Sequence, residues 1–144
     1  MVIAKMDMKS GLPPESPERR TRQRFLALRR GEPCFWASVA GRRVALVDLS
    51  IEGFAFVGPA TTATEPFAVV LHRAGVPDEI HARASVVNVG GSGDDALLGC
   101  RFTSLGNAEA ALLQDWLVAH VIMNATVRIT EKDAIAIVRG GSLI

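Results

Sequence analysis

The sequence predicts a mainly β protein: a six-stranded antiparallel β-barrel with a C-terminal α-helix. Three observations lead there. Six short apolar runs recur at regular spacing between Phe25 and Phe102, each closed by a turn signal. Within them apolar and polar residues alternate, as in Glu79 to Val89, where Ile80, Ala82, Ala84 and Val86 oppose His81, Arg83, Ser85 and Val87. After Gly106 the period lengthens to that of a helix.

The elements follow in order. Residues 1–17 hold Gly11, Pro13, Pro14, Ser16 and Pro17, which resist helix and read as a flexible leader. Phe25 to Ala40 reads as a first strand interrupted at Gly31-Glu32-Pro33, with a turn at Ala40-Gly41. Arg42 to Leu49 is the clearest strand, with Val44, Leu46 and Asp48 on one face and Ala45, Val47 and Leu49 on the other. Ser50 to Gly53 is a turn in which glycine can supply a positive φ. Phe54–Val57, Phe67–His72, Glu79–Val89 and Ala96–Phe102 complete the six strands. Asn107 is the expected N-cap of the helix, with Glu109 favoured by the dipole in its first turn. Leu112, Leu113, Trp116, Leu117, His120 and Val121 fall at helical spacing up to about Asn124. Residues 125–144 form a C-terminal extension, where Thr126–Ile129 and Ala134–Val138 read as the two strands of a hairpin that must dock to be stable.

The chain has 144 residues, enough for one domain with short tails. Its composition is that of a soluble globular protein. No run of eighteen apolar residues occurs and the first ten residues lack an apolar signal region, so no membrane span and a cytoplasmic location are expected. Cys34 and Cys100 sit in apolar runs and are expected to be free core thiols. His72, His81 and His120 have no metal-ligand spacing, so no metal site is expected. Neither G-x-S-x-G nor H-E-x-x-H is present, so no catalytic residues are assigned and no enzyme is expected. Trp36 and Trp116 read as core or helix anchors. The loop Gly90 to Asp95 lacks the lysine of a phosphate-binding loop, and its two aspartates would repel an anion.

The net charge of +1 hides an asymmetry: Pro17 to Arg30 carries six arginines and one glutamate, so this segment is strongly cationic and the rest is acidic. Two strings stand out. One contains R-x-x-x-R as Arg20 and Arg24, with Arg19 and Arg22 beside it. The other, Asp48-Leu49-Ser50-Ile51-Glu52-Gly53, reads D-x-S-x-x-G. If extended, the first places its two arginines roughly 13 Å apart, enough to hold a compact anion from two sides. Taken singly, the first reads as a solvated basic stretch or an arm for nucleic acid, and the second as a hairpin turn capped by its own Asp or Ser.

In this order and spacing, with six strands and a helix following, the two strings resemble the PilZ domain family, the bacterial receptors for cyclic di-GMP. The likeness covers roughly residues 18 to 123, and Leu97-Leu98-Gly99-Cys100-Arg101-Phe102 resembles how such domains end. It implies a PilZ domain over residues 18–124 and a ligand site made of Arg20, Arg24, Asp48, Ser50 and Gly53, with Arg19 as a further arginine. The chemistry agrees: guanidinium binds phosphate or the guanine O6/N7 edge bidentately, and a carboxylate accepts from guanine N–H groups. The resemblance further implies a second-messenger effector with cyclic di-GMP as ligand, no cofactor, and a protein partner reached by ordering the arginine segment. Two alternatives remain: a PilZ-like protein-interaction module that binds no nucleotide, and a small nucleic-acid-binding barrel. Only one basic segment supports the latter, so no nucleic acid is expected as partner.

Overall fold

The computed structural model describes residues 23–125 and 128–140, so the predicted leader lies outside the described residues. The strands are β1 (Phe25–Leu26), β2 (Leu28–Arg29), β3 (Glu32–Pro33), β4 (Phe35–Val39), β5 (Arg42–Leu49), β6 (Gly53–Gly58), β7 (Phe67–Arg73), β8 (Glu79–Gly90) and β9 (Ala96–Ser104). Two helices follow, α1 (Asn107–Asn124) and α2 (Glu131–Arg139). Strands β5-β4-β7-β8-β9-β6 are hydrogen-bonded in that order and β6 pairs back onto β5, closing a six-stranded antiparallel barrel. Closure leaves these six strands no free edge.

The expected first strand divides. Arg30 and Gly31 both have positive φ, and they form the two-residue loop of a small β2–β3 hairpin. The same device, Ala40 and Gly41, joins β4 to β5. Only Phe35–Val39 of this stretch enters the barrel, while β1 pairs outside it along β5.

The faces of β5 also differ from simple alternation. Leu46 pairs with Phe56, but Asp48 pairs with Ala55 and Leu49 with Phe54, so Val47 is an extra residue in a β-bulge. Leu46 and Leu49 therefore both enter the core. Asp48 turns away from Leu46, with which the alternating pattern had grouped it.

Phe35, Phe54, Leu71, Ile80 and Cys100 fill the barrel. Helix α1 lies over the end where β4 begins, with Trp116 stacked on Phe35 at 6.2 Å between ring centroids. Its N-cap is Gly106, without a side-chain cap bond, and Asn107 is the first helical residue instead. Trp116 is the expected helix anchor, but Trp36 is not a core residue: it lies half-buried beneath the Arg43 guanidinium, 5.2 Å from the ring centroid.

Residues 131–139 form a helix where the sequence suggests a hairpin strand. Thr130 Oγ1 accepts from the Asp133 amide, Glu131 and Asp133 occupy the first turn and Arg139 the last. Ala134 and Val138, four apart, are wholly buried and α2 packs on α1. β-branched residues weigh little against such a docking face. No helix among the described residues is long and apolar enough to cross a membrane.

Candidate ligand site on the outer barrel face

Two segments far apart in sequence meet at the end of β5. Strand β1 pairs Phe25 with Leu49 and Leu26 with Asp48, and the Ala27 amide donates to the Val47 carbonyl at 3.0 Å. This lays the residues just before β1 against the outer face. Arg24 Nη1 consequently sits 3.3 Å from Asp48 Oδ1, with both side chains about one-fifth exposed. That is long for a charge-assisted bond, whose usual range is about 2.7–2.9 Å. Arg24 has five donors and this contact uses one, so a second anion can be engaged without desolvating a bare charge. Arg19 and Arg20 lie outside the described residues.

Ser50 is buried, and its hydroxyl is occupied by its own turn. Oγ accepts from the amides of Glu52 at 3.1 Å and Gly53 at 3.2 Å, and donates to the Gly53 carbonyl at 3.4 Å. The Ser50 amide donates to the same carbonyl at 2.8 Å. Ser50 thus shapes the loop that follows Asp48. The Glu52 carbonyl accepts from the Phe102 amide at 2.9 Å, tying the loop to β9.

Gly53 has no positive φ, contrary to the expectation for this turn. Its reason is proximity: a Cβ there would stand 2.0 Å from the Cys100 carbonyl oxygen and 3.0 Å from Arg101 Cα. Only glycine permits β6 to approach β9 this closely.

The strand register adds residues that motif reading missed. Asp48 pairs with Ala55, Ala55 with Gly99, and Gly99 with Asn88, a row of small positions crossing four strands with a polar group at each end. In the next row Gly53 pairs with Arg101 and Arg101 with Ser85. Arg101 is exposed, a further cation beside the loop. Alternation along β9, where Leu98 and Cys100 are buried, was the signal that could have identified Arg101.

Cys34 and Cys100 are free and buried, as expected. Burial pushes the Cys100 thiol up to about 12 against the opposing pull of the Arg24 guanidinium, so it remains a protonated core group. No group of three or more His, Cys, Asp or Glu among the described residues could hold a metal ion. Residues 91–95 join β8 to β9, with Gly91 and Gly93 at positive φ.

His120 ties the arginine-bearing segment to α1. Its Nε2–H donates to the Leu26 carbonyl at 2.8 Å, which leaves Nδ1 to accept from Asn124 Nδ2 at 3.2 Å. Burial lowers its pKa below 6.5; the Leu26 bond opposes this, and the Arg73 and Arg29 guanidiniums add to it. The folded state therefore holds a neutral ring while the unfolded chain takes up a proton below 6.5. His120's contribution is complete above that pH and is lost as pH falls toward the lower folded value. We expect unfolding free energies from urea titrations to decline between pH 7 and 5 more steeply in the parent than in His120→Gln, by at most about 1.4 kcal/mol per pH unit. Parallel declines would show that His120 does not titrate this way.

A closed six-stranded barrel with a helix across one end and a D-x-S-x-x-G loop on its outer wall is the architecture of a small β-barrel domain. The PilZ domain family model matches residues 18–119, and the chain belongs to that family. Two solved structures are similar in fold. The Bacillus subtilis inhibitor of motility MotI/DgrA shares 13% identity at a TM-score of 0.60, over 78% of this chain and 57% of that one. MrkH, described as a c-di-GMP-dependent transcription regulatory factor, shares 20% identity at a TM-score of 0.56, over 74% of this chain and 52% of its own. The chain matches little more than half the length of either. No curated protein sequence matches it.

Proposed function

We propose that this protein is a cyclic di-GMP receptor that binds the nucleotide on the outer barrel face and passes the signal to a protein partner. The observation that carries this reading is the Arg24–Asp48 pair, which joins the two motifs across 24 residues of sequence. Arg24 supplies a guanidinium for a phosphate or a guanine edge. Asp48 supplies an acceptor for guanine N–H groups. Ala55 and Gly99 continue the row from Asp48 with small residues, and Ser50 holds the loop in shape. Arg19 and Arg20 join the proposal on sequence alone, as the arms that close over the ligand. Ordering of that segment upon binding is the proposed output. The regulatory character of the two structural neighbours, one a motility inhibitor and one a c-di-GMP-dependent transcription factor, supports a signalling role. No residue is assigned a catalytic part.

Isothermal titration of cyclic di-GMP into the folded protein, with GTP as control, tests the reading. Saturable binding at micromolar concentration or below is expected, with GTP silent. No heat from a folded sample would instead leave a PilZ-fold interaction module that binds no nucleotide.

A further inference from the structure

A second cationic feature lies apart from the Asp48 loop. Arg29 on β2, Arg30 in the β2–β3 turn and Arg73 at the end of β7 line one cavity of about 550 Å³. The volume is in the range of small-molecule sites, about 300–1,000 Å³. Its floor is apolar, with Pro33, Phe35, Val76 and Met123, and buried His120 and Cys34 complete the lining. Glu32 is the only acidic residue in the lining, so with neutral His120 the cavity carries an excess of two formal positive charges.

Arg29 and Arg30, consecutive along the β2–β3 hairpin, and Arg73 from β7 bring cationic residues of two chain segments to this one cavity. Arg29 is held by its Nη1 contact to Met123 Sδ at 3.2 Å, at the C-terminal end of α1. Arg29 and Arg73 both act electrostatically on Cys34 and His120, which places the two charges around the same floor. Among the described residues no carboxylate, Glu32 included, comes within ion-pair distance of any of the three arginines. Forked donors without a carboxylate partner among the described residues, above an apolar floor, suit a ligand with a flat or aliphatic body and an anionic head.

We infer that this cavity is a second ligand site, taking a small organic phosphate or carboxylate, distinct from the Asp48 face. Arg29 and Arg73 grip the anionic head, Arg30 closes over it, and Phe35, Val76 and Met123 contact the body. The site depends neither on the arginine cluster before β1 nor on nucleotide binding.

The test is a titration of phenyl phosphate into the full chain at pH 7.5, followed by NMR of the backbone amides and histidine rings, with no nucleotide present. Saturable shifts centred on Arg73 to Val76 and His120 are expected, with half-saturation below about 1 mM. Inorganic phosphate, lacking the apolar body, should bind at least tenfold more weakly. The Arg29→Gln/Arg73→Gln variant should lose at least tenfold in phenyl phosphate affinity and keep its cyclic di-GMP titration unchanged. Non-saturable shifts, shifts centred on Asp48, or an equal response in the variant would overturn the assignment. The nucleotide reading is judged separately, by the cyclic di-GMP titration of the parent.

Discussion

Gly53→Ala is expected to cost about 3 kcal/mol of stability or more and to lower Tm by on the order of 10 °C. The added Cβ would lie 2.0 Å from the Cys100 carbonyl oxygen, a backbone atom that no rotamer change can move aside. Relief requires β6 to part from β9, and these strands are paired from Gly53–Arg101 to Gly58–Ala96. It would also disturb the loop bonded through Ser50 Oγ to the Gly53 amide, and Asp48 with it. Thermal unfolding followed by circular dichroism measures the effect. A Tm within about 2 °C of the parent would show that the close approach is not a constraint. The consequence for interpretation is direct: lost nucleotide binding in this variant would report a damaged barrel, not a lost ligand contact.

Arg24→Ala should behave in the opposite way. Its contact with Asp48 is long and partly solvated, and such pairs contribute at most about 1 kcal/mol. The fold should therefore survive with Tm nearly unchanged. Cyclic di-GMP affinity should fall roughly 30- to 1,000-fold, the equivalent of about 2–4 kcal/mol for a central arginine contact to an anion. Titration of the variant beside the parent, with both melting curves in hand, separates binding from folding. Undiminished affinity in a folded Arg24→Ala protein would remove Arg24 from the site and leave the D-x-S-x-x-G loop as a structural turn.

Much of the architecture was legible without coordinates. Six runs of strand-like residues, the switch of period after Gly106 and the two motifs point to a barrel, a helix and one face of interest. Three of the misreadings share a cause, since each turns on what a residue touches across the chain. Val47 looks like an ordinary alternating residue, and only its pairing partners on β6 reveal the bulge that re-aims Asp48. Ala134 to Val138 looks like strand because its residues are β-branched and apolar, yet a helix cap at Thr130 and the exposed flank of α1 favour a helix. Trp36 looks like core by type, but its register sets it outside under Arg43.

The amino-acid pattern by itself determined the fold class and singled out the candidate site residues, because hydrophobic periodicity, turn residues and short motifs are local properties of the chain. Only the tertiary structure decided that Arg24 meets Asp48 and that Gly53 is required by the Cys100 carbonyl. It alone brought Arg29, Arg30 and Arg73 around one cavity. These are distances between groups remote in sequence, set by strand register, a bulge and helix docking, and no local pattern encodes them.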